Sequence, residues 1–183
     1  MERTGFLSGG LDMALTLIRH TRPAVKPGIC YGRTDLALAH TFAEEADAVL
    51  AQLEPAEALV SSPLSRCRVL AERIGSAFHL QPAYDRRLQE MDFGAWEGQD
   101  WNGIPRTELD AWAADFLYAR PHGGESVHAF VARVHEVLAE LRKDGVSRLV
   151  ITHAGVIKAS TVAKGADFSA FQTSVEYGGV LRI

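Results

Sequence analysis

Three short apolar runs, far apart in the chain, each end in residues able to do polar chemistry. Leu17-Ile18 leads into Arg19-His20, Leu59-Val60 into Ser61-Ser62-Pro63, and Val150-Ile151 into Thr152-His153. A neutral imidazole offers a ring lone pair as base or nucleophile. An arginine fork never deprotonates and grips an oxyanion through paired hydrogen bonds. Arg66 lies four residues beyond Ser62, where the first turn of a helix adds unpaired amides and about half a positive charge. Two histidines with Arg19 and Arg66 make a concentrated cation in a chain whose 19 Lys+Arg and 23 Asp+Glu leave a net charge of −4. The simplest ligand for such a pocket is phosphate.

These residues meet only if the elements behind them bring them together. Ala14 to Ile18, Ala58 to Val60 and Arg148 to Thr152 are too short for helices and suit strands buried on both faces. Thr21 to His40, rich in proline and glycine, reads as a long loop of the kind that carries function. Thr41 and Glu44 have the spacing of a capping box, and Phe42, Ala46, Val49, Leu50 and Leu53 follow on one helical face. Ser62 can cap, and Pro63 can open, a second helix with Cys67, Leu70, Ala71, Ile74 and Phe78 inward. Leu80 to Tyr84 is weakly strand-like, whereas Leu88 to Arg120, with all three tryptophans, shows no regular period. Ser126 caps the clearest amphipathic stripe, Val127 to Leu141; Ala154-Gly155-Val156-Ile157 opens a further helix, and Val180 to Ile183 suits a last strand. The alternation predicts a three-layer α/β/α sandwich with a mostly parallel central sheet. Ligands of such sheets bind outside the carboxyl ends of the strands, where all three polar termini fall.

At 183 residues, 47% of them hydrophobic, the chain is sized for one globular domain, expected over residues 13–183, with residues 1–12 as a flexible leader. The acidic balance argues against broad nucleic-acid or anionic-membrane binding, and no apolar run approaches the ~18 residues of a membrane span. Cys30 and Cys67 form no framework and read as reduced thiols of a cytoplasmic protein.

Four blocks then resemble the histidine phosphatase superfamily, whose fold is phosphoglycerate mutase-like. They are Leu17-Ile18-Arg19-His20-Thr21, Ser61-Ser62-Pro63-Leu64-Ser65-Arg66, Leu88-Gln89-Glu90-Met91-Asp92-Phe93-Gly94-Ala95-Trp96-Glu97-Gly98 and Ile151-Thr152-His153-Ala154-Gly155-Val156-Ile157. They occur in the family's order. A fifth segment, Gly28-Ile29-Cys30-Tyr31-Gly32-Arg33-Thr34-Asp35-Leu36, is similar to the alpha-ribazole phosphatases of cobalamin synthesis. The resemblance implies a metal-independent, cofactor-free phosphomonoesterase acting on a small molecule, alpha-ribazole 5′-phosphate being the best-named candidate. His20 would be the nucleophile of a phosphohistidine, Arg19, Arg66 and His153 would clamp the phosphoryl oxygens, and Glu90 would serve as general acid and base. Thr21, Tyr31, Arg33 and Thr34 would join Arg19, Arg66 and His153 in binding substrate. A raised Glu90 pKa would suit this role, and Phe93 with Trp96 would supply the apolar wall.

The chain departs from the family pattern at Thr21 and Ala154, where glycine is usual, at Lys26 in place of asparagine, and at Leu70 in place of threonine. The changes in the first loop weigh against a mutase. Two rival activities remain: a cofactor-dependent phosphoglycerate mutase and a non-catalytic phospholigand- or partner-binding module. Trp96 and Trp101 could shape a substrate lid or fill a second core. Gly124-Glu125-Ser126 could border the pocket or simply cap a helix. His128 and His135, seven apart with no supporting carboxylate motif, read as a solvated helix face rather than a metal site. Oligomeric state is open, a homodimer included.

Overall fold

The computed structural model describes residues 15–162 and 168–183. The leader expected at 1–12 lies outside the described residues. Five strands, β1 (Leu15–Arg19), β2 (Ala58–Ser61), β3 (Pro82–Tyr84), β4 (Arg148–Thr152) and β5 (Val180–Arg182), form one sheet in the order β3-β2-β4-β1-β5. All pairs are parallel except β1 with β5.

Alternation along the strands divides the core into two faces. Ile18, Leu59, Leu149 and Ile151 pack with Ala46 and Val49 of α1 (Phe42–Leu50) and with Cys67, Leu70, Ala71 and Ile74 of α2 (Ser65–Phe78). Their strand neighbours Leu17, Val60 and Val150 pack against Phe130, Val134, Val137 and Leu138 of α4 (Val127–Leu141) and Val156 and Ile157 of α5 (Ala154–Thr161). This is the expected three-layer arrangement, with helices over both faces of a mostly parallel sheet. The α4 stripe reads from the sequence as it folds, and the Ser126 hydroxyl accepts from the Ala129 amide at 3.2 Å as its cap.

Local expectations fail at three places. Thr41 makes no capping bond: with φ −78° and ψ 0° it is already near-helical, and its hydroxyl donates instead to Glu45 Oε1 at 2.7 Å. Glu44 is exposed, so no capping box forms. Ser62 and Pro63 do not open α2, which starts at Ser65; the Ser65 amide and hydroxyl both donate to the Asp35 carboxylate at 2.8 Å. A long-range cap takes the place of the local one, and the Ser62 hydroxyl is 3.5 Å from the Leu64 amide, just before the helix. The aperiodic stretch Leu88 to Arg120 contains helix α3 (Arg106–Ala114), which buries no residue fully and therefore carries no clear apolar stripe.

Candidate active site

Strand register does the positioning. Arg19 pairs with Thr152 across β1 and β4, so His20 and His153 leave adjacent strands side by side, and the His20 amide donates to the Thr152 carbonyl at 3.0 Å. Their ring centroids are 5.2 Å apart at an interplanar angle of 65°. The Ser62 amide donates to the Ile151 carbonyl, placing the Ser62 hydroxyl 2.9 Å from His153 Nε2. Arg66, in the first turn of α2, comes in from the same end. His20, Thr21, Ser62, Arg66 and His153 are all buried, an unusual density of polar groups for an interior.

His20 has a defined tautomer. Its Nδ1 lies 2.6 Å from the Thr21 carbonyl, which can only accept, so Nδ1 carries the proton and Nε2 keeps its lone pair. Burial, followed by the charge of Arg66, holds the His20 pKa well below that of an ordinary histidine, with the Thr21 bond opposing. His153 is depressed too, first by burial and then by His20, Arg66 and Arg19. The fixed cations are thus the arginines, and both imidazoles are neutral at neutral pH.

Both imidazoles carry a stability consequence. Their folded pKa values lie below the unfolded value of about 6.5, so the folded chain binds fewer protons than the unfolded one as pH falls through that value. Stability is therefore full above pH ~6.5 and declines below it, by up to about 1.4 kcal/mol per pH unit for each histidine. Urea midpoints measured from pH 8 to 5 are expected to be level and then to fall. A flat profile across that range would contradict the burial of neutral rings.

Each arginine is held by backbone and aromatic partners that do not use its Nε–H. Arg66 donates through Nη1 to the Thr34 carbonyl at 2.7 Å and through Nη2 to the Gly32 carbonyl at 2.5 Å. Gly32 is needed for this approach, since a Cβ there would meet the Met91 carbonyl oxygen at 1.9 Å. Arg19 donates to the Val175 carbonyl and stacks on the Tyr177 ring, 3.8 Å from the centroid. Arg19 Nε, Arg66 Nε and Thr21 Oγ1 are buried without a hydrogen-bond partner among the described residues. Two guanidinium donors and a hydroxyl left over beside a neutral imidazole is what an oxyanion completes.

Glu90 stands at the N-terminus of α5. Its Oε2 accepts from the Gly155 amide at 3.0 Å and its Oε1 from the Met91 amide at 3.0 Å. The segment before it is pinned to the end of β4 by the Thr152 hydroxyl, which donates to the Leu88 carbonyl at 2.8 Å, and by Arg133, which donates to the carbonyls of Arg87 and Gln89. A Cβ at Gly155 would lie 2.1 Å from Glu90 Oε1. Gly155→Ala is therefore expected to push the carboxylate aside and lower kcat by roughly 10²-fold while the fold persists. Melting temperature and kcat measured together check this; unchanged kcat would make the Glu90 position unimportant.

The remaining predicted residues divide. The Tyr31 ring lies 5.3 Å beneath the Arg66 guanidinium, and its hydroxyl is 2.8 Å from that of Tyr177. Arg33 faces the carboxylates of Asp92 and Glu125 at 3.7 and 3.6 Å rather than the imidazoles. The Thr34 amide and hydroxyl both donate to Glu97, so its link to the site is the carbonyl that holds Arg66. Trp96 is not an apolar wall beside Glu90: it is buried with Cys30 and Ile104, its indole donating to Glu108 at 2.6 Å, and Trp101 and Trp112 line that wall instead. Glu125 ties Arg133 and Arg33 together beside the Ser126 cap.

Tyr177 escaped sequence reasoning although it lies 5.8 Å from His20 and stacks on Arg19. It comes from the turn before β5, outside every motif block, and only the antiparallel β1–β5 pairing returns it to the site. Cys67 is a buried free thiol 3.5 Å from His153 Nε2, its pKa pushed up to about 12 by burial, so it is an inert neighbour. His128 packs on Tyr118 and His135 lies 3.0 Å from the Ala159 carbonyl; among the described residues no group of three His, Cys, Asp or Glu could hold a metal ion.

The family model described as histidine phosphatase superfamily (branch 1) matches residues 15–180. Glucosyl-3-phosphoglycerate phosphatase of Mycobacterium tuberculosis is 32% identical over 139 residues, 69% of this chain but only 59% of that protein, so the chain spans about three-fifths of that relative. Phosphoserine phosphatase 1 of Hydrogenobacter thermophilus is 29% identical over 170 residues, 86% of this chain and 79% of that protein. The crystal structure of the alpha-ribazole phosphatase from Shigella flexneri superimposes with a TM-score of 0.81 at 26% identity, covering 93% of this chain and 89% of that one.

Proposed function

This chain belongs to the histidine phosphatase superfamily, and from that premise we propose that it hydrolyses a small-molecule phosphomonoester through a phosphate carried on His20. The observation that supports this best is the pairing of a neutral His20, Nδ1 spent on Thr21 and Nε2 free, with two buried arginine Nε–H groups that lack partners.

In the first step the Nε2 lone pair forms a bond to phosphorus while the bond from phosphorus to the ester oxygen breaks. The departing oxygen takes a proton from Glu90. In the second step Glu90 removes a proton from water, the water oxygen bonds to phosphorus, and the N–P bond returns its electron pair to His20, releasing inorganic phosphate. Arg19 and Arg66 supply N–H groups to the equatorial oxygens throughout, where preorganised donors do most in phosphoryl transfer. His153, neutral and oriented by Ser62, adds an N–H donor rather than a fixed charge. Tyr177 and Tyr31, joined at their hydroxyls, pack against the Arg19 and Arg66 guanidinium groups and help hold them in place.

As the specific substrate we put forward alpha-ribazole 5′-phosphate, hydrolysed in the cytoplasm. The likeness to the Shigella enzyme and the Gly28–Leu36 segment support it. Among the described residues, no helix is long and apolar enough to cross a membrane. The test is phosphate release from a panel containing this ester, with 3-phosphoglycerate isomerisation followed in parallel. Release without isomerisation is expected. Isomerisation as the dominant activity would replace the phosphatase reading with a mutase.

A further inference from the structure

Beside Glu90 opens a cavity of about 700 Å³. Its wall begins at Ala154 and Gly155, the two residues after His153, and continues into Phe93, Trp101, Trp112, Phe116, Phe168 and Phe171. These rings lie against one another, Phe93 with Trp101 at 5.7 Å, Trp112 with Phe116 at 5.2 Å, and Phe116 with Phe171 at 5.9 Å between centroids. Among the described lining residues only Glu90 and Lys158 are charged. The Lys158 ammonium already donates to the Phe171 carbonyl at 3.2 Å. Arg19 and Arg66 are not part of this wall.

With phosphorus at His20 and the ester oxygen served by Glu90, the rest of the leaving alcohol extends past Glu90 into this space. We infer that the cavity is the leaving-group subsite and selects alcohols that are uncharged and carry a flat aromatic group. The inference rests on the phosphatase reading above. A flat ring buries its faces and edges against the six rings, the kind of lining that dominates small-molecule sites of this size. A carboxylate entering the same space would shed its hydration without a planar cationic fork to replace it. Glycerate or serine would also leave most of the volume unfilled. The subsite thus sets this chain apart from a relative whose name specifies a phosphoserine ester.

The test compares naphthylmethyl phosphate with phosphoserine, two alkyl esters, so that leaving-group reactivity does not dominate the difference. With the full chain, kcat/KM is expected to favour the naphthylmethyl ester by at least roughly tenfold. Phe116→Ala is expected to raise KM for the naphthylmethyl ester and to bring the ratio of the two kcat/KM values close to one. Equal efficiencies, or a preference for phosphoserine that Lys158→Met abolishes, would overturn the subsite and leave the phosphatase reading standing. Absence of turnover with these esters and the whole panel would overturn the phosphatase reading itself. The subsite is then judged by tryptophan fluorescence: saturable quenching by naphthylmethanol that Phe116→Ala weakens supports it, and no quenching rejects it.

Discussion

Replacing His20 by alanine is expected to lower phosphatase turnover by at least roughly 10⁴-fold, the scale seen when a covalent nucleophile is removed from an otherwise intact site. The other groups persist in that variant. Arg66 is held by the Gly32 and Thr34 carbonyls, Arg19 by Val175 and Tyr177, and Glu90 by Gly155, none of them through the imidazole. Substrate binding should therefore survive, because the arginine donors remain, and the KM or Kd for phosphate should move far less than kcat. Steady-state kinetics with a direct phosphate-binding measurement separates the two effects. A loss of tenfold or less would mean that water attacks phosphorus directly and that His20 only positions it.

Glu90→Gln is expected to cost roughly 10²–10⁴-fold, with the size of the loss set by the leaving group. An alkyl ester needs its departing oxygen protonated, so the full loss should appear there. A nitrophenyl ester departs as a stable anion, and its first step should be nearly unaffected. Glutamine keeps the shape, and its one carbonyl oxygen can still accept from the Gly155 amide, at the cost of the bond from the Met91 amide. Rates for the two ester types in both proteins check the assignment. Equal losses would move the acid role to another group.

Much of the molecule was legible in the sequence because its signals are local. The stripe of α4 and the strand β4 are complete within single windows of chain, and the polar ends of β1, β2 and β4 follow from where their apolar runs stop. The convergence of His20, Ser62 and His153 then follows from parallel pairing alone. What stayed hidden depends on long-range contacts. The Asp35 carboxylate caps α2 from thirty residues away, and the Ser62 hydroxyl lies against His153 instead. Trp96, placed beside Glu90 by proximity in sequence, turns away to Glu108, because a short helical turn at Gly94–Trp96 directs it into a separate cluster. Tyr177 reaches Arg19 only through the return of β5 against β1. Arg33, expected from the resemblance to bind substrate, is instead faced by the carboxylates of Asp92 and Glu125.

The central claim is a covalent bond between phosphorus and one particular nitrogen. Quenching the enzyme during turnover of a radiolabelled phosphomonoester, followed by peptide mapping, reads that bond directly. An acid-labile, base-stable phosphate is expected on the peptide containing His20, formed at least as fast as steady-state turnover. An active enzyme that carries no such label, or carries it on His153 or any other residue, would contradict it.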